Sequence, residues 1–165
     1  MLPTLKTILY ATDLAPHGPR IFRYALALAR QHDARIVLLH AIEPLSHSAT
    51  TLVHTMVPSE MLEKAQVEGL AALRDEIHKR LQRFCEQELA AGTTEADVVS
   101  EIRVVEGTPA QVIPAVADEI DADLIVMGMH GHTKLEYMFL GSVANRVVSR
   151  SRIPVLLVPA QSESV

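Results

Sequence analysis

Three glycines and a serine raise the first chemical question. In "GMHGHTKLEYMFLGSVANRVV", two residues separate Gly128 from Gly131, nine separate Gly131 from Gly141, and Ser142 follows. Glycines at the end of an apolar run let backbone approach a ligand and permit positive φ. Successive N–H groups in such a turn can form an anion-binding nest. If a helix opens at Gly141-Ser142, its unpaired N–H groups and positive dipole end also favour an anion. The dipole alone is worth only about 0.3–1 kcal/mol at an exposed site. Charge-assisted hydrogen bonds, roughly twice as strong as neutral ones, would contribute more to holding a phosphate, and Ser142 adds a hydroxyl donor. The spacing fits neither familiar phosphate fingerprint, since position 130 is His and Lys134 lies between Thr133 and Leu135. The competing reading is a strand–loop–helix connection whose glycines only turn the chain and whose Ser142 only caps a helix. Spacing alone leaves both open.

Other residues add smaller hints. Thr12-Asp13 follows the first apolar run, "ILYA". Asp13 could accept hydrogen bonds from a ligand or help hold a metal, or it could cap a helix starting near Pro16 or Pro19. His130 could donate to a phosphate. With His132 it makes a poor metal pair, because no third ligand stands at useful spacing. His40 falls inside an apolar run, where a satisfied core role is expected. Cys85 follows Phe84 and reads as a helical packing residue. No Ser-His-Asp order or pair of carboxylates points to hydrolysis.

The elements that must position these residues alternate. Apolar runs at Ile8–Ala11, "ARIVLLHAI", "DVVSEIRVVEG", "ADLIVMG" and "VLLV" predict five strands. Between them, "GPRIFRYALALARQHD" carries Ile21, Ala25, Leu28 and Ala29 at helical spacing. A long helix is predicted from a Ser59 cap to about Ala91, with Leu70, Leu73, Ile77, Leu81 and Phe84 as one stripe and Gly92 as its stop. Thr108-Pro109-Ala110-Gln111 reads as a capping box opening a helix that buries Val112, Ile113, Val116 and Ile120. A last helix starts at about Gly141. The segment from Glu43 to Pro58 shows no clear period and reads as a long loop. Strand and helix in alternation imply a parallel sheet with helices on both faces. Ligands of such sheets bind beyond the carboxyl ends of the strands, where strand order reverses. A reversal around the first strand puts "YATD" and "VMGMHG" on opposite walls of one crevice.

Composition narrows the class. The chain has 165 residues, 48% hydrophobic but only 4% aromatic, so Val, Ile, Leu and Ala must build the core. That palette suits strands buried on both faces. A formal charge of −5 leaves no electrostatic footprint for nucleic acid. One cysteine makes no internal disulfide, and no apolar stretch is long enough for a membrane span. A cytoplasmic protein is expected, with residues 1–160 as one domain and 161–165 as a polar tail.

The motif in this setting resembles a known family. "GMHGHTKLEYMFLGS" fits G-x2-G-x9-G-[S/T], the signature of ATP-binding universal stress proteins. "ILYATD", "IVLLHAIEP", "EGTPAQVIPAVADEIDADLIVMGMHG" and "SRIPVLLVP" extend the similarity over essentially the whole chain. The resemblance implies an open, doubly wound, five-stranded parallel sheet of order 3-2-1-4-5, Rossmann-like and of HUP type. It implies that Ala11, Thr12, Asp13 and Ile42 meet adenine. Ribose and phosphates would lie along Met127, Gly128, His130, Gly131, Gly141, Ser142 and Val143. ATP, ADP or AMP would be the ligand, with Mg2+ or Mn2+ mainly on the phosphates and Asp13 as the candidate protein group beside the metal. It implies a homodimer through Val155 to Val158. One departure is Ala11, where ATP-binding relatives often carry Pro; losing that ring loosens adenine packing but keeps the backbone contacts. Two other functions stay open: a slow ATPase or self-phosphorylating protein using Asp13, His130 or Ser142, and a nucleotide-free interaction module. A response-regulator receiver is disfavoured, since "RVVEG" offers no phosphoacceptor Asp.

Overall fold

The computed structural model describes residues 1–90, 98–130 and 140–159. Its strands are β1 (Thr7–Ala11), β2 (Arg35–Ile42), β3 (Val99–Glu106), β4 (Leu124–Gly128) and β5 (Val155–Val158). Its helices are α1 (Gly18–His32), α2 (His47–Met56), α3 (Ser59–Ala90), α4 (Pro109–Glu119) and α5 (Ser142–Arg150). The strands form one sheet in the order β3-β2-β1-β4-β5, and every neighbouring pair is parallel. This is the order expected from the resemblance.

Residues alternate between two cores along each strand, as the period of two requires. Ile8, Tyr10, Ile36, Leu38 and Val126 join α1 and α3 residues in one cluster. Leu9, Ala11, Val37, Leu39, Ile125 and Met127 join α4 and α5 residues in the other. Both faces of β1 and β2 are therefore dry, which explains their unbroken apolar sequence. α1 buries Ile21, Phe22, Ala25, Leu26 and Ala29 as one stripe. It stops at Asp33, whose left-handed backbone (φ 52°) sends its N–H back to the Ala29 carbonyl. α4 tolerates the interior Pro114 because Val112, Ile113, Val116 and Ala117 are buried against the sheet. Few aromatic rings are present, and three are used together: Tyr10 packs 5.5 Å from Phe22, and Phe22 5.2 Å from Phe84, tying sheet, α1 and α3.

The start of β1 is pinned by a side chain from the start of β4. Asp123 Oδ2 accepts from the Lys6 N–H at 2.7 Å and the Thr7 N–H at 2.9 Å, while its own N–H donates to the Thr7 carbonyl at 2.8 Å. Hydrogen bonds to a charged acceptor contribute about 1.5–3 kcal/mol each. This anchor fixes how far β1 and β4 reach at the opposite, carboxyl edge.

Several local expectations are corrected. The Glu43–Pro58 segment holds α2, capped by the Ser46 hydroxyl accepting from the Ala49 N–H. Its Thr-rich sequence hid it, because Thr and Ser are weak helix formers. α2 buries none of its residues. Ser59 is the first residue of α3 rather than its cap, and the Pro58 carbonyl accepts from the Leu62 N–H. Thr108 does precede α4, but its side chain makes no capping bond; its carbonyl accepts from the Gln111 and Val112 N–H groups instead. The α3 stripe is buried only in its second half: Leu81 is 1% exposed and Leu73 46%. The sheet is too short to cover a 32-residue helix, which extends about 48 Å at 1.5 Å per residue. Gly92 and the 161–165 tail lie outside the described residues.

Cys85 lies in the α1–α3 core, as its place beside the stripe implied. Burial pushes its thiol up to about 11 from an ordinary 9.0. The folded chain thus holds this proton more tightly than the unfolded one. The thiol's contribution to stability is intact below about pH 9 and is lost as pH rises through about 11. Urea unfolding between pH 8 and 9.5, where the unfolded thiol ionises ahead of the unfolded Tyr10 phenol, should show stability falling more steeply in the wild type than in Cys85→Ala. Equal slopes would refute the assignment.

Candidate nucleotide site

The carboxyl edge of the sheet gathers most of the singled-out residues. Tyr10 pairs with Val126 in the β1–β4 ladder, so the chain beyond Ala11 leaves the sheet beside Met127 and Gly128. The order reverses here, because β1 leads outward to β2 while β4 leads the other way to β5. Ala11 and Met127 are buried on the α4–α5 face. Thr12 and His130 are half-buried and Asp13 is exposed. Ile42 ends β2, one strand away and buried. Gly141 is the N-cap of α5, Ser142 its exposed first residue, and Val143 half-buried behind it. Gly131 lies outside the described residues.

Two backbone bonds shape the β4 side. The Met129 N–H donates to the Val158 carbonyl, and the Gly141 N–H donates to the Met129 carbonyl, each at 2.9 Å. The second bond clasps the start of α5 against the end of β4. Gly141 has φ −57° and ψ 150° and, as a glycine, offers no capping side chain. Ser142 is therefore not the cap that the simpler reading made it. The first N–H groups of α5 have no partner within the helix, and a helix start of this kind can receive an anion.

The β1 side is a pair of nested turns. The Leu14 N–H donates to Thr12 Oγ1 at 3.1 Å, and the Ala15 N–H donates to Asp13 Oδ1 at 3.0 Å. Both side chains satisfy local backbone, a common role for Thr and Asp in turns. Asp13 thus braces the loop before α1 and does not cap α1, whose N-cap is His17. The Thr12 N–H continues the ladder to the Leu39 carbonyl at 2.9 Å.

The whole chain can now be set beside known proteins. The universal stress protein family model matches residues 4–159. The chain belongs to the universal stress protein family. A universal stress protein from the QAH/OAS sulfhydrylase 3′ region of Thermus aquaticus is 33% identical over 153 residues, spanning 93% of this chain and 98% of the relative. Universal stress protein MJ0577 of Methanocaldococcus jannaschii is 26% identical over 157 residues, spanning 93% and 94%. A solved MJ0577 structure, reported as a structure-based assignment of biochemical function, superposes with a TM-score of 0.75 at 25% identity, over 98% of this chain and all of that one. A universal stress protein crystallised in complex with cAMP shares the fold, with a TM-score of 0.62 at 24% identity over 94% and 98%.

In this universal stress protein, three residues that the sequence did not place at the site are its neighbours. His40 Nδ1 stands 2.8 Å from the Thr12 carbonyl, so it carries the proton and donates, which ties β2 to the end of β1. A polar residue two places before the end of an apolar strand was the available signal. Tyr10 donates its buried hydroxyl to the Gly18 carbonyl at 3.0 Å, and burial holds its phenol well above the ordinary range. That bond seats the first turn of α1. His17 comes close to Gly128: a Cβ on Gly128 would lie 3.9 Å from His17 Nε2 and 3.0 Å from Ile21 Cδ1. Gly128 therefore leaves room where the first turn of α1 crosses the end of β4. Among the described residues, no group of three or more His, Cys, Asp and Glu is placed to hold a metal. No helix among them is long and apolar enough to cross a membrane.

Proposed function

We propose that the crevice at the carboxyl edge binds an adenine nucleotide, ATP or its products ADP and AMP. The observation that carries this reading is the clasp between Gly141 and Met129, which sets the start of α5 beside the end of β4, at the same sheet edge from which Thr12-Asp13 leaves β1. The polyphosphate would take the N–H groups at Ser142 and Val143 and the glycine turn at Gly128 to Gly131. The base would lie toward Ala11, Thr12, Asp13 and Ile42. A solved protein of the same fold with cAMP bound supports an adenine nucleotide as a ligand of this architecture. With no cluster of metal ligands among the described residues, Mg2+ or Mn2+ would be held chiefly by the phosphates, with Asp13 at the same edge.

The nucleotide acts as a regulatory ligand of a cytoplasmic stress-response dimer. β5 pairs only with β4, and its other edge presents partly buried Val155, Leu156 and Leu157. An apolar strand edge of this kind is suited to pairing with a second copy. Nucleotide shifts such a dimer or a partner surface only if it binds two states with different affinity. Calorimetry with ATP and Mg2+, together with mass spectrometry of small molecules released on denaturing fresh protein, tests the reading. Saturable heat and a released adenine nucleotide are expected. No heat at millimolar ATP and no nucleotide released would overturn it.

A further inference from the structure

A second opening lies between the turn after β1 and the middle of α3. It encloses about 250 Å³. Leu14, Ala15, Pro16 and Pro19 line it from the loop and α1, and Leu81 and Phe84 from α3. Thr12 and Arg80 supply its polar groups, and among the described residues no acidic one lines it. Of these residues only Thr12 is shared with the nucleotide crevice.

Two observations set this cleft apart from a packing gap. The first is Leu14, whose φ of 61° is left-handed. For a bulky residue without a local side-chain hydrogen bond this is a true outlier, and such strain collects at ligand clamps. The second is Arg80. Its Nη2 reaches the Leu14 carbonyl at 3.4 Å, a long bond, and among the described residues it forms no ion pair. Its neighbours on α3 are otherwise engaged: Arg83 pairs with Glu76, and Lys79 with Asp75. A guanidinium has five N–H donors in a planar fork, and one long bond leaves most of them for another acceptor.

We propose that this cleft binds a small monocarboxylate with an apolar body, its carboxylate on Arg80 and its body between the loop and Leu81 and Phe84. The size favours a small ligand, since drug-sized molecules occupy about 300–1,000 Å³. The charge favours a monoanion. One guanidinium matches one carboxylate as a two-pronged pair, whereas a doubly charged phosphate would leave charge uncompensated against apolar walls.

The test is an amide NMR titration of the full chain with benzoate, with benzyl alcohol as the uncharged counterpart. Saturable shifts at Leu14, Ala15 and Leu81 are expected with benzoate, at a dissociation constant of about 1 mM or tighter. Arg80→Gln should weaken benzoate at least about 10-fold, or 1.4 kcal/mol, and leave the weaker benzyl alcohol unchanged. Arg80 is exposed, so the variant should fold, and its spectrum verifies this directly. The proposal is overturned if no saturable shifts occur at these residues, or if Arg80→Gln binds benzoate as the wild type does. It is also overturned if ATP displaces benzoate by simple competition, because the cleft would then be part of the nucleotide's own pocket.

Discussion

Ser142→Pro should leave the fold intact and weaken ATP by at least about 10-fold, or 1.4 kcal/mol. The expectation comes from the geometry at the start of α5. Proline restricts the residue before it to extended or polyproline backbone, and Gly141 already sits there with φ −57° and ψ 150°. Ser142 is the first helical residue, where the N–H has no partner inside the helix and proline is welcome. Stability should therefore change by no more than about 0.5 kcal/mol. What disappears is one backbone donor and one hydroxyl at the place assigned to phosphate. Hydrogen bonds to charged groups are worth about 1.5–3 kcal/mol each, with water recovering part of the loss. Ser142→Ala, which removes only the hydroxyl, should weaken ATP less. Adenosine, lacking phosphates, should bind the wild type and both variants alike. Calorimetry on the three proteins decides the matter. If ATP binds Ser142→Pro as tightly as the wild type, or if adenosine and ATP weaken together, the α5 end is not the phosphate seat.

Gly107→Ala should produce the largest loss of stability, about 2–4 kcal/mol from backbone strain and overpacking together. Gly107 has φ 148°, a conformation that side-chain-bearing residues rarely adopt, and a Cβ there would lie 2.6 Å from Val112 Cγ2. The neighbour cannot easily yield, since Val112 is buried on α4 against the sheet. Nor can the backbone drift, because the Gly107 N–H donates to the Ile42 carbonyl at 2.9 Å. Urea unfolding measures the loss. In Gly107→Ala/Val112→Ala the clash is relieved and the φ strain is not, so the double variant should lose less than the sum of the singles. A loss below about 0.5 kcal/mol for Gly107→Ala, the size of an ordinary surface change, would contradict the geometry.

The fold was legible because its strands are apolar on both faces and its helices on one. "ILYA", "IVLLHAI" and "LIVMG" announce buried parallel strands, and α1 carries its stripe plainly. What stayed hidden was decided by tertiary position. Leu73 and Leu81 obey the same helical period, yet only Leu81 meets the core, because the sheet ends before α3 does. Thr108 has the residue type and spacing of a capping side chain, and its backbone does the work instead. At the site, the positions of Gly128 and of Thr12-Asp13 at the carboxyl edge of the sheet were readable from the alternation of strand and helix. His17 and His40 were not, since their relation to Gly128 and Thr12 exists only after the sheet is assembled. Arg80 was invisible for the same reason: it stands 66 positions from Leu14 in sequence.

The clasp between Gly141 and Met129 has a further meaning for how such chains change length. It ties the end of β4 directly to the start of α5, across the segment between them. For a chain closed at its ends, doubling its length costs only about 0.6 kcal/mol of closure entropy. Residues inserted between His130 and Leu140 therefore tax the domain lightly. That span is a natural port for grafting a reporter or an epitope.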